Sequence, residues 1–295
     1  MTIVGAGTAD WFDVKGTVPT PKKARRLKDG TIGLFTGLFL LVALLVLGIL
    51  VPLLSPFEIE ISIDTPFLPP SGTYWFGTDG LGRDVFVRVF SAVYLDLGVA
   101  LIGVIIPFSV GTIVGIGLAV SRSKTLNSVV GSIIDGINAF PLLVLAIALI
   151  ALLGPGLQSV VVALSLTNWA RYARLARTRA LVVKQQGYIE ATQTLGYSKP
   201  RTLFKHLVPN VSSETTAYAL SDLILVILLI AGLSFLGLGA QPPTPEWGAM
   251  ISDGRPNFQV AWWPVIFPGL ALCWAGVSLS FIAEGLTRRE RDVKS

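Results

Sequence analysis

Few residue types in this chain could do covalent or metal chemistry. There is one histidine, His206, and one cysteine, Cys273, among 295 residues. A lone cysteine excludes an internal disulfide framework, and a lone histidine with no neighbouring cysteine leaves too few ligands for a metal site. No G-x-x-x-x-G-K-[ST] loop occurs, so nothing here cradles a nucleotide phosphate chain. No nucleophile elbow or metal-ligand cluster occurs either, which argues against an enzyme. Two carboxylates stand out by their surroundings: Asp135 and Asp222 interrupt long apolar runs. A carboxylate inside hydrocarbon is costly and is found where it faces a path or a partner. Each is read as either a pathway-lining group or a structural carboxylate near the end of a span, and the latter is favoured. His206 and Cys273 are expected to be structural, Cys273 as a small core residue.

The elements that hold these residues are apolar. Only 14% of residues are charged, against 52% hydrophobic, and the mean hydropathy is +0.69. Soluble domains carry roughly a quarter charged residues. Runs of about 20 apolar residues recur, enough to cross ~30 Å of hydrocarbon. The pattern predicts an all-α integral membrane protein with six transmembrane helices. Spans are expected near 31–54, 95–120, 128–153, from 157 into a basic end at Arg171, near 216–238 and near 261–286. Pro107 and Pro141 interrupt the second and third. All but three of the 23 Lys and Arg, namely Arg83, Arg88 and Arg255, fall on one side of this arrangement. By the positive-inside rule that side is the cytoplasm, so both termini are predicted to be cytoplasmic.

This divides the chain into a cytoplasmic tail (1–30), a first span (31–54), an external loop (55–94), a five-helix core (95–286) and a C-terminal tail (287–295). Within "GTDGLGRDVFVRVFSAVY" an amphipathic helix is expected to lie at the outer interface. Its cap would be Thr78 or Asp79, and Arg83, Asp84 and Arg88 would lie off its apolar stripe. The later loop "QPPTPEWGAMISDGR" is expected to line the outer mouth or to anchor at the interface through Trp247.

Inside the core, residues 184–212 form a polar loop between apolar spans. It contains "EATQTLGYSKPRTLFKHLVPN", from Glu190 to Asn210. Good helix formers run to Leu195, Gly196 is a C-terminal stop, Ser198 can cap a second helix, and Pro209 is expected to end it. Composition alone also allows a plain basic tether.

The spacing Glu190-Ala191, Gly196 six residues after the Glu, and Pro209 thirteen after the Gly resembles the "EAA" signature of permease subunits of ATP-binding-cassette importers. Thr192 stands at the third position. "FGTDGLGRDV", "AFPLLVLAIAL", "KHLVPN", "LSFLGLGAQPPTPEWGAMISDGR" and "WWPVIFPGLAL" are similar to the C-type permease of the dipeptide/oligopeptide/nickel branch. Ala92, Val93, Tyr94 and Asp96 replace that branch's usual Gly-Ala-Arg-x-Ser, and Ile230 replaces a usual Glu.

The resemblance implies a type I importer fold. It makes the polar loop a coupling helix, with Glu190, Ala191, Thr192, Leu195, Gly196 and Pro209 meeting an ATPase. It implies a second homologous permease, two ATP-binding subunits that carry the ATP and Mg, an extracytoplasmic solute-binding protein and residence in a prokaryotic cell membrane. The chain itself would hold no cofactor and bind no nucleic acid. The rival from the residues alone is an ion-coupled secondary transporter, for which the intramembrane aspartates are the support.

Overall fold

The structure is a computed structural model that describes residues 23–294, without the side chains of 23–30, 190, 193 and 289–294. It is built from ten α-helices, and the described residues contain no strand.

The centre is a pair of long helices, α2 (Val85–Val120) and α5 (Leu157–Lys184). Small residues let them touch. A Cβ added to Gly111 would come within 2.4 Å of the Trp169 carbonyl oxygen, and one added to Gly115 within 2.3 Å of that of Ala173. On α5 the buried Ala170, Ala173, Ala176 and Ala180 continue this face. Close backbone approach through small residues suits helices in lipid, where packing replaces the hydrophobic drive. The helix α8 (Val208–Phe235) closes the core against both.

Outside this core, α1 (Lys23–Leu54) packs on α10 (Trp263–Lys294). Gly37 faces the Ser278 carbonyl so closely that a Cβ would sit 2.7 Å away. The Trp274 Nε1 donates to the Leu40 carbonyl at 3.0 Å. The expected first tail, 1–30, is already helical from Lys23, and residues 1–22 lie outside the described part. Helix α10 likewise runs through the expected second tail, with Glu284 paired to Arg288 one turn on.

Four segments are long and apolar enough to cross a bilayer: Thr31–Leu54, Val85–Val120, Lys199–Phe235 and Trp263–Arg288. A fifth arises if α3 (Lys124–Ala139) and α4 (Leu142–Leu153) count as one, although they meet at 97°. Pro141 stands at that break. Pro107, by contrast, lies inside an unbroken α2. Helix α5 has the length of a span, 28 residues, but it carries Arg171, Arg174, Arg177 and Arg179.

The expected interfacial helix is not a separate element. Residues 85–94 are the first turns of α2, and the cap is Asp84, whose Oδ1 accepts the Val87 N–H at 2.9 Å. Thr78 instead ties the preceding loop, accepting the Leu68 N–H and donating to the Thr65 carbonyl. Arg83, Asp84 and Arg88 are buried, not off the packed stripe. Arg83 bonds Asp79 and Asp84 caps its own helix, but the Arg88 partners, the Ile59 and Pro243 carbonyls, come from distant sequence, which periodicity does not register.

Helix α9 (Trp247–Gly254) folds back onto α2. Trp247 is fully buried, donating from Nε1 to the Val89 carbonyl at 2.9 Å and from its backbone to Asp96 Oδ2 at 3.1 Å. It is a packing anchor, not an interfacial residue. Glu246 caps α9 through the Ala249 N–H, and burial pushes its carboxyl above the usual range.

Candidate functional site

The polar loop folds as two short helical pieces. Helix α6 spans Gly187–Thr194. Its end is the left-handed stop the sequence calls for: Gly196 has φ +75°, and the Tyr197 N–H reaches back to the Thr192 carbonyl at 3.0 Å. That 6→1 bond is the Schellman closure, which satisfies a carbonyl the helix would otherwise leave open. Among the described residues, its chain neighbours aside, nothing lies within 4 Å of a Cβ placed on Gly196.

After the stop, Ser198 holds the N-cap position of α7 (Lys199–Thr202), with extended backbone and no side-chain cap bond. Pro209 does not end this helix. A π turn, Leu203–Leu207, joins α7 to α8, and helical backbone is continuous over Lys199–Phe235. A proline lacks an N–H and collides with the carbonyl four residues back. The wider π turn ahead of it opens the backbone where that collision would fall.

One side of α6 is anchored. Ile189 is buried with Ala176, Ala180, Val183, Leu207 and Val211 from α5, the π turn and α8. Thr192 is buried too. Its hydroxyl lies 2.7 Å from the Ile189 carbonyl and 3.1 Å from Thr202 Oγ1, pinning α6 to α7. It therefore faces inward, towards α7. The other side is bare: Tyr188, Ala191 and Leu195, which continues the helix, are exposed, Leu195 to 73%; Phe204 of the π turn is exposed as well. The Glu190 side chain lies outside the described residues. Exposed apolar side chains gathered on one short helix mark a contact surface. Sequence reasoning did not single out Ile189 or the Thr192–Thr202 link; the β-branched pair Ile189 and Thr192, three apart on a helix, was the available signal.

His206 lies between the Tyr188 and Tyr197 rings. Among the described residues no group of His, Cys, Asp and Glu could hold a metal. Cys273 is exposed on α10 rather than buried in a core.

The structure does not bring the two intramembrane aspartates together. Asp135, on α3, pairs with Arg174 of α5 at 2.6 Å, with its side chain 74% exposed. Asp222, on α8, is buried and accepts from Asn168 Nδ2 and Tyr172 Oη, both at 2.8 Å. It ties α8 to α5 by neutral donors, without an arginine.

A compact helical membrane core thus presents one short, half-anchored helix ending at a glycine. Residues 111–292, which span this core and α6, match the family described as "Binding-protein-dependent transport system inner membrane component". The chain belongs to this family. It is 35% identical over 264 residues to the dipeptide transport system permease protein DppC of Bacillus subtilis, covering 89% of this chain and 82% of that one. It is 34% identical to the glutathione transport system permease protein GsiD of Pectobacterium atrosepticum, covering 89% and 87%.

Among solved structures, a methionine ABC transporter (MetNI, inward-facing) matches with a TM-score of 0.55 at 21% identity, over 70% of this chain and 96% of that one. An amino acid ABC transporter with histidines matches with a TM-score of 0.56 at 18% identity, over 69% and 94%. These two likenesses speak to fold alone. As a member of the inner membrane component family, the chain is a permease subunit of an ATP-binding-cassette importer, and ATP hydrolysis resides on separate subunits.

Proposed function

We propose that this permease forms half of a translocation pathway for peptide-like solutes and receives its drive through α6. The observation that carries this is the bare apolar face of α6, closed by the left-handed Gly196 with open space around it. Ala191, Leu195 and Gly196 would sit in a groove of an ATPase subunit. Glu190, in the first turn, places a negative charge where the helix dipole favours it. Thr192 and Pro209 act from behind, the first by bracing α6 on α7, the second by lying at the π turn.

The continuity from α7 into α8 gives the mechanism its lever. A helical run of 37 residues is about 55 Å long. A displacement of α6 and α7 by the ATPase is passed along it into the packed core, with the π turn as its softest point. ATP-driven closure of two ATPase subunits would thereby bias the bundle between outward- and inward-facing packings. ATP and Mg are bound by those subunits, and this chain carries no cofactor. A second homologous permease completes the path, an extracytoplasmic binding protein delivers the solute, and both termini are cytoplasmic in the prokaryotic cell membrane. Helix α5 serves as a sixth span, because its arginines are paired or lie towards its inner end.

The names of the relatives, dipeptide and glutathione permeases, support a short peptide as solute. An ion-coupled carrier is disfavoured, since Asp222 is already held by two donors and Asp135 by Arg174. Reconstitution of this chain with its second permease, ATPase subunits and binding protein tests the proposal. Uptake of a dipeptide that requires both ATP and the binding protein is expected; uptake driven by an ion gradient without ATP would overturn it.

A further inference from the structure

The C-terminal end of α1 and the first turn of α2 meet at the end of the bundle away from α6. Helix α2 runs from there to Ala119, whose carbonyl accepts from Lys184 Nζ at the end of α5, just before α6. Between α1, α2 and the loop that joins them lies a cleft of about 610 Å³, within the range for ligand sites of roughly 300–1,000 Å³. Its walls include Leu47, Leu50 and Val51 of α1, Phe86 of α2, and Phe57 and Trp75 of the loop. Leu50 and Trp75 are exposed, Trp75 to 64%. The Trp75 ring stands 4.9 Å from that of Phe86. Such walls give water few hydrogen bonds, whereas a hydrocarbon chain meets them with dispersion contacts along its length.

Three polar residues also line the cleft: Ser55, Thr73 and Asp84. Asp84 is buried and spent on capping α2. Ser55 Oγ accepts the Phe57 N–H at 3.0 Å, so its own hydrogen is free to donate. Among the described residues the Thr73 hydroxyl and the Trp75 indole N–H have no hydrogen-bond partner. Ser55 is the first residue beyond α1, so these donors stand where a span ends.

The rest of α1 says what covers the cleft. Of the four long apolar spans, Thr31–Leu54 is the least covered by the chain itself. Its glycines all turn inward: Gly33 and Gly37 meet α10, and Gly48 meets Val93 and Tyr94 of α2. The side left outside is bulky, with Phe35, Phe39, Val42, Val46, Ile49 and Leu53 exposed. Helices in a bilayer pack on one another through small residues. A face that keeps none for a partner helix suits lipid chains, and the exposed Leu50 and Leu54 carry that face into the cleft.

We infer that the cleft holds one acyl chain of a phospholipid from the leaflet away from α6. The chain lies along Leu47, Leu50, Val51 and Phe86, and its ester carbonyl accepts from the hydroxyls of Ser55 and Thr73. Trp75 borders the same level, which suits a ring that is apolar in body and polar at its N–H.

No ATPase or binding protein takes part in the test, so its outcome is independent of whether the chain transports peptides. The full chain in detergent is titrated with phosphatidylcholine carrying a diazirine on one acyl chain, irradiated, and mapped by mass spectrometry. Labelling of residues 47–51 and Phe86 is expected to saturate and to be displaced by unlabelled phosphatidylcholine. Glycerophosphocholine, which has the headgroup and no chain, should not displace it. Labelling at Phe35 and Phe39 should rise without saturating. The dialkyl ether analogue, which lacks the ester carbonyl, should compete at least about threefold less well; equal competition would overturn the ester contact. Leu50→Trp fills the cleft from an exposed position and should weaken the saturable labelling at least about tenfold. Val42→Trp, about two turns away on the same bare face, should leave it unchanged. Labelling of the cleft that never saturates, displacement by glycerophosphocholine, or wild-type labelling in Leu50→Trp would each overturn the inference. Leu50→Cys combined with Cys273→Ser reads the rival occupant: a disulfide-linked dimer on mild oxidation in lipid would mean that a second copy covers the cleft, and would overturn it too.

Discussion

Asp222 and Asp135 look alike in sequence, yet they do different work. Asp222 is buried and collects two donors from α5. Asp222→Ala leaves Asn168 and Tyr172 as buried donors without an acceptor, and the thermal stability of the purified chain should fall by about 2–4 kcal/mol. Asp135 makes an exposed ion pair with Arg174, so Asp135→Asn should cost under about 1 kcal/mol in the same assay. Equal losses in the two variants would contradict this division. Thr192 separates the structural account from the motif. As a mere stand-in for the motif's alanine, its replacement by alanine would be silent. Its hydroxyl is buried between Ile189 and Thr202, so Thr192→Ala should loosen α6 at a cost of about 1 kcal/mol, whereas Thr192→Ser keeps the bonds. Amide hydrogen exchange across residues 187–202 reads this directly: faster exchange is expected in the alanine variant only.

At the scale of elements, the close approach of α2 to α5 sets the core. Gly115→Val places a side chain where a Cβ already falls 2.3 Å from the Ala173 carbonyl. The helices must separate, and a loss of at least about 1–3 kcal/mol is expected, read as a lowered melting temperature. Gly232→Ala, at a helical glycine with nothing within 4 Å of the added Cβ, is the control and should be neutral or mildly stabilising. What sequence revealed at this scale followed local chemistry. The stop at Gly196 and the cap position at Ser198 were legible because one residue type decides each. The start of α2 was not. Arg83, Asp84 and Arg88 made its first turns look like a surface helix, but the Arg88 partners Ile59 and Pro243 lie far off in sequence. Pro209 misled for a related reason: the π turn that accommodates it is a property of the whole run into α8, and no local signal announces it. Pro141, with the same chemistry, does mark a break, because α3 and α4 have few buried neighbours to hold them in line.

For the whole molecule, the fold class was legible because lipid leaves few solutions, long apolar helices with basic residues gathered at one end, and the family was legible from the spacing of Glu190, Gly196 and Pro209. The sequence count of six spans and the structure's four or five differ through α5, whose arginines lower its hydropathy while its small residues make it central to packing. Cysteine labelling at Ser71 and Ser198 in a background lacking Cys273 tests the topology: the two sites should react from opposite sides of the membrane, and labelling from one side would refute it. The central claim is that α6 passes the work of ATP hydrolysis to the bundle. Gly196→Val imposes the left-handed backbone of φ +75° on a β-branched residue, at a cost of at least about 1–2 kcal/mol, and puts bulk on a surface that is open in this chain. The decisive measurement is solute-stimulated ATP hydrolysis together with uptake in the reconstituted complex carrying Gly196→Val. Normal membrane insertion with uptake lost, through failed ATPase association or hydrolysis no longer tied to solute, is the predicted result. Unchanged stimulated hydrolysis and unchanged uptake would mean that the loop only tethers two spans.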